Sequence, residues 1–414
     1  MTGAPRIRDG ISRATVAVAI GIAAWCLANA AGAAAATPPS LTATAAIVID
    51  AKSGAVIYGL HPNARRAIAS TTKLMTAHIT LERAQPSDVF TAPAYNPGPA
   101  ESVIGLHKGE RMTVHDLLRA VLLPSANDAA WDLAYNVGNS SVRRFVRRMN
   151  KEATQLGLAH THYSTPIGLD DPGNYSTAAD LAKLATIDMR NPKFAKIVGL
   201  THATLRSGSR ERTVINRNDL VARYGFVDGV KTGHTSDAGN VLVAAGHRDG
   251  ARVISVVLGE PTVARRDADS VALLRYGLDQ FHRVGVLKKG REITSVDVHQ
   301  RSGKAGLTAS RSVTLTVRKG VPVRVRKLAP SELKGPLPAG RAVGRAEVLV
   351  GGKVVRTVPL VTAEKVPGPA FLRRLEGALH AVLISLAILF ILLACTLVAL
   401  RVRVVRRQRA RSAR

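Results

Sequence analysis

Cysteine is nearly absent: the 414 residues hold two, Cys26 and Cys395, each inside an apolar terminal stretch. The body of the chain therefore has no disulfide framework and no thiolate metal site. Nor do the residues before Cys26, Ala-Ala-Trp, form a lipidation box. Aromatic residues are scarce too, at 4%, so the cations are not interleaved with the stacking groups that single-stranded nucleic acid requires. Acids are outnumbered, 29 against 58 Lys and Arg, for a formal charge of +29. The arginines are dispersed and form no single stripe, so no nucleic-acid partner is expected. Residues 401–414 carry seven arginines and no acid, and residues 1–13 a net +2. The remaining +20 suits an anionic wall or lipid surface. With 46% hydrophobic and 21% charged residues the chain reads as globular, and its length predicts two or three domains.

Two long apolar runs mark the ends. Arg6, Arg8 and Arg13 precede the first, from about Ala14 to Ala31, and small residues follow to Ala36; this is the layout of a secretory signal peptide, assigned to residues 1–36. The second run, Ala378 to Leu400, has 23 residues and no full charge, enough for a transmembrane helix. Residues 401–414 then form a basic tail that predicts a cytoplasmic C-terminus and an extracellular body.

Between the ends the pattern runs strands, helices, strands. Ala45–Ile49 and Ala55–Tyr58 read as a hairpin about Asp50–Gly54. Helical periodicity covers Ser70–Arg83, Val114–Leu122, Asn127–Tyr135, Ser141–Leu156 and Ala178–Thr186. Strand character returns at Val227–Val230, Val241–Ala245 and Val253–Leu258. The order predicts an α+β domain, residues 37–285, whose antiparallel sheet pairs its first and last strands beneath packed helices. Alternation then dominates residues 286–364, a small all-β domain with no catalytic constellation.

Three short motifs stand in order in the α+β domain: Ser70-Thr71-Thr72-Lys73, Ser125-Ala126-Asn127 and Lys231-Thr232-Gly233. Each alone is weak, but together they make the trio of penicillin-binding proteins and class A β-lactamases. Ser70 at a helix start would sit among free backbone N–H groups, with Lys73 on the same face. A desolvated lysine beside another cation, for which Lys231 is placed, can be neutral enough to take the serine proton. Ser125 can pass a proton to the leaving amine, and Asn127 can hold a substrate amide. Gly233 lets a strand backbone approach a substrate laid alongside it, and the N–H groups of Ser70 and His234 would form an oxyanion hole. His160-x-His162 has no third ligand at a standard spacing, so neither metal nor cofactor is expected.

The segment Ile68–Ala77 resembles the active-site segment of the D-alanyl-D-alanine carboxypeptidases, the low-molecular-mass penicillin-binding proteins of the S11 peptidase family. Thr165–Leu169, Tyr175–Ala178 and Asp228–Thr235 agree, and the likeness spans about residues 41 to 285. It implies a β-lactamase/transpeptidase-like fold, acylation by β-lactams and removal of D-alanine from peptidoglycan stem peptides. It also implies that an arginine between asparagines binds the substrate's terminal carboxylate; Asn216-Arg217-Asn218 fits, with Thr232 adding a hydroxyl. The alternatives are a β-lactamase, a D,D-endopeptidase and a catalytically inactive wall-binding protein. A β-lactamase commonly places a glutamate in the loop region, and none falls between Ala159 and Ala179. The intact trio argues against an inactive module. The oligomeric state is not legible.

Overall fold

The computed structural model describes residues 37–368 and 371–411. The expected signal peptide, Cys26 and the last three residues of the basic tail lie outside them. The chain forms two compact units that divide between His282 and Arg283, against an expected boundary at 285/286.

Five antiparallel strands make the sheet of the first unit: β1 (Ala45–Asp50), β2 (Val56–Leu60), β3 (Val227–Thr235), β4 (Gly239–Arg248) and β5 (Ala251–Glu260), in the order β2-β1-β5-β4-β3. The first strand pairs with the last, Ile47 opposite Val256. Alternation divides each strand between two cores. Ile47, Val243 and Val256 face one core; Val48, Leu242 and Val257 face the other. Both faces are covered, so the central strands read as apolar runs and not as half-polar ones.

The first core takes the helices α1 (Lys73–Arg83), α2 (Val114–Leu122), α3 (Asn127–Val137), α4 (Val142–Gln155), α5 (Ala178–Asp188) and α6 (Pro192–Val198). Several begin at side-chain caps: Thr113 accepts from the Asp116 N–H, Ser141 from Arg144, and Thr177 from Asp180. The second core is closed by α7 (Val263–Asp279), through Val271, Leu274 and Leu278. This helix has no counterpart in the sequence expectation. Its first half is charged, and its apolar face is confined to the second, which blurs the helical period.

The second unit holds a six-stranded sheet with its own core of Leu307, Ala346, Val348, Val358 and Leu360. Its strand Lys304–Ala309 pairs with Glu292–Val298 on one side and Lys353–Thr362 on the other. A 41-residue helix, Phe371–Arg411, follows. Its apolar side chains are bare, Phe390 73% exposed and Leu389 63%, and Leu375–Arg407 is long and apolar enough to cross a membrane. A soluble surface rarely presents so continuous an apolar band, so the helix fits a membrane anchor.

Candidate active site

Ser70 lies one turn earlier than expected. It sits in a 3-10 turn, Ala69–Thr72, and α1 starts at Lys73. Ala69 takes a φ of +46°, a left-handed conformation uncommon for a residue with a Cβ. The surroundings hold it there. Thr71 Oγ1 donates back to the Ile68 carbonyl at 2.6 Å, and Asn174 Nδ2 donates to Thr72 Oγ1 at 2.9 Å. Gly168, at φ +84°, is wedged so close that a Cβ there would lie 2.1 Å from the Ala69 oxygen. The Thr165–Leu169 segment is thus the brace of the turn.

Lys73 Nζ donates to Ser70 Oγ at 2.9 Å and to the Ile167 carbonyl at 2.6 Å. The side chain is fully buried. Burial lowers its pKa to about 7; the Glu101 and Asp128 charges oppose the shift, and Arg217 reinforces it. An amine so poised is neutral in about half of the molecules at pH 7 and can there accept a proton.

Ser125 occupies the loop before α3 with a φ of +69°, and its buried Oγ has no hydrogen-bond partner. Asn127 opens α3, but its Nδ2 donates to Glu101 Oε2 at 2.6 Å. Glu101 is also held by the Gly98 N–H at 2.8 Å and by the Tyr95 hydroxyl. No sequence signal marked Glu101, since it reaches the site from an irregular loop without a motif of its own.

Lys231, Thr232, Gly233 and His234 lie on β3. Lys231 is buried and donates to the Thr232 carbonyl at 2.8 Å. Burial, then Lys73, Arg217 and Arg266, pushes its ammonium well below the usual lysine range. Lys73 is among the charges that act on it. Arg217 is a cation that acts on both lysines, lowering each. Gly233 is needed for a close approach: a Cβ would lie 2.7 Å from Val241 Cγ2 and 2.9 Å from the Ser70 nitrogen.

Arg217 follows the hairpin His202–Leu205 and Arg212–Ile215, strands that the sequence did not announce. Its neighbours are anchors. Asn216 Nδ2 donates to the Val198 and Leu200 carbonyls, Asn216 Oδ1 accepts from the Asn218 N–H, and both asparagines are buried while Arg217 is exposed.

A cleft of about 520 Å³ gathers these elements. Ser70, Ser125, Arg217, Thr232, Gly233 and His234 line it; Lys73, Asn127 and Lys231 are buried and do not. Arg266, near the start of α7, lines it as well, its guanidinium gripped by Asp267 at 2.7 and 2.9 Å. That residue escaped the sequence reading because its helix did. The only hint was Arg265-Arg266 behind Thr262, whose hydroxyl caps the helix.

The sequence pattern of the D-alanyl-D-alanine carboxypeptidases matches residues 32–262, and that of the C-terminal domain of penicillin-binding protein 5 matches residues 281–368. A D-alanyl-D-alanine carboxypeptidase of Haemophilus influenzae is 33% identical over 339 residues, covering 78% of this chain and 85% of its own. One from Bacillus subtilis is 30% identical, covering 81% and 88%. Among solved structures, penicillin-binding protein 5 of Haemophilus influenzae superimposes with a TM-score of 0.56 at 33% identity, covering 80% of this chain and 99% of its own. A Streptomyces DD-transpeptidase gives 0.56 at 33% identity, covering 59% and 99%. With both domains matched along most of its length, the chain belongs to the D-alanyl-D-alanine carboxypeptidase family of serine peptidases.

Proposed function

We propose that Ser70 carries the acyl group in a serine-type carboxypeptidase that releases the terminal D-alanine of peptidoglycan stem peptides. The observation that carries this reading is the buried Lys73 amine, 2.9 Å from Ser70 Oγ. Lys73 takes the hydroxyl proton as Oγ bonds to the carbonyl carbon of the penultimate residue. The C–N bond then breaks, and the departing amine of D-alanine takes a proton through Ser125, whose Oγ is unengaged at the cleft. Water next cleaves the ester and restores the Ser70 hydroxyl. The close approach of Gly233 to the Ser70 nitrogen supports an oxyanion hole made by the N–H groups of Ser70 and His234. Thr232 forms the wall beside the substrate, with Lys231 buried behind it, and Asn127, its nitrogen fixed by Glu101, is the group that orients the substrate amide once the cleft is occupied. A β-lactam enters the same acylation and stays on Ser70.

Two arginines face the cleft, and we assign the substrate carboxylate to Arg217 with Arg266 as its partner. A carboxylate desolvated beside the nucleophile needs charged donors, each worth roughly 2–4 kcal/mol. Arg217→Ala should therefore lower kcat/KM for D-alanine release about 30- to 1000-fold, and far less for a substrate amidated at its C-terminus. An equal loss on both substrates would make Arg217 structural and leave the carboxylate to Arg266.

Residues 1–36 act as the signal peptide, 37–285 as the catalytic domain, 286–364 as the β domain, 378–400 as the membrane span and 401–414 as a cytoplasmic tail. The bare apolar helix followed at once by arginines supports this topology. Protease applied to intact cells should remove the catalytic domain and spare a C-terminal tag. Digestion of the tag from outside would reverse the orientation.

A further inference from the structure

Away from the cleft, α1, α4 and α5 bring four side chains to one place. His78 of α1 is 8% exposed, and its Nδ1 lies 2.7 Å from Asp188 Oδ1 of α5. Its other nitrogen, Nε2, is buried and has no hydrogen-bond partner. That nitrogen faces Glu82 Oε1, one turn further along α1, at 3.6 Å, and Glu152 Oε1 of α4 at 3.9 Å. Both separations are too long for a hydrogen bond. The three atoms nevertheless lie within 4.8 Å of one another.

All three atoms carry lone pairs, and a tetrahedral ion with bonds of roughly 2.0–2.2 Å holds its ligand atoms about 3.3–3.6 Å apart. The two spacings from the histidine nitrogen, 3.6 and 3.9 Å, come within about half an ångström of this, and no pair exceeds 4.8 Å, so the exposed Glu82 side chain need close by no more than about 1 Å. Asp188 completes the arrangement in the way metal-binding histidines are usually held: a carboxylate on one ring nitrogen fixes the tautomer that leaves the other free as a ligand. Glu82, its side chain 46% exposed, opens the cluster to solvent and so gives an ion both a way in and a water for its fourth position. We propose that His78, Glu82 and Glu152 bind one divalent cation of the zinc type, with Asp188 orienting His78. Such an ion would tie α1, the helix that carries Lys73, to α4. None of the four residues lines the cleft, so the ion is structural and takes no part in acylation.

The test is calorimetric titration of the full chain in detergent with zinc chloride, repeated with cobalt(II), whose visible bands report tetrahedral coordination. One equivalent should bind, and zinc should raise the melting temperature. Glu82→Gln, on the exposed side of the cluster, and Glu152→Gln should each weaken binding at least tenfold; neither removes the buried His78–Asp188 pair. Ser70→Ala should bind zinc like the unaltered chain. A Kd weaker than about 1 mM, or an affinity unchanged in both glutamine variants, would overturn the site and reduce the cluster to a charge network.

Discussion

Replacing Ser70 by alanine should remove covalent labelling by β-lactams entirely and lower D-alanine release by roughly 10⁴- to 10⁶-fold, the range in which serine hydrolases lose their nucleophile. The substitution deletes one oxygen whose recorded partner is Lys73 Nζ, so the 3-10 turn, braced by Gly168, Thr71 and Asn174, should keep its shape. Intact-mass spectrometry after exposure to a penicillin should show one adduct on the unaltered chain and none on Ser70→Ala. Peptide mapping must then place the adduct on Ser70; an adduct on any other residue would transfer the nucleophile elsewhere and sink the mechanism.

The second large effect belongs to Lys73. Its role as base needs the neutral amine, and burial holds the folded pKa at about 7, so kcat/KM should fall about tenfold for each pH unit below that point and level off above it. The linkage has a definite sign. The unfolded chain keeps the Lys73 proton up to about pH 10.4, whereas the folded chain releases it near 7. Folding therefore expels a proton between those values, and the contribution of Lys73 to stability rises with pH across that window. Lys73→Ala should lower acylation by roughly 10²- to 10⁴-fold on the plateau above about pH 7, by progressively less below it, and abolish the acid limb. Because Arg217 helps to depress Lys73, Arg217→Ala should move the surviving limb to higher pH. A limb that stays in place in Lys73→Ala would assign the titration to another group.

How much of this was legible varies with sequence separation. Ser70 and Lys73 are three residues apart on one helical path, so their contact follows from local geometry. The pairing of the first strand with the last was readable as well, because apolar alternation and the strand–helix–strand order left few other ways to close the sheet. The family segment at Thr165–Leu169 was visible as letters, but its task of bracing Ala69 and accepting from Lys73 was not.

The sequence alone determined the membrane-length apolar run, the order of the motifs and the chemistry available at Ser70, Lys73, Ser125 and Lys231, since each rests on residue type and short spacing. Tertiary structure decided what surrounds them. It set Glu101 against Asn127 and brought Arg266 into the cleft from a helix hidden by its uneven charge. It also buried Lys231 among cations that lower its affinity for a proton, and set His78 of α1 against Asp188, 110 residues away. Such contacts join segments whose separation carries no periodic signal. Their electrostatics depend on burial, a property of the packed chain that no local spacing encodes.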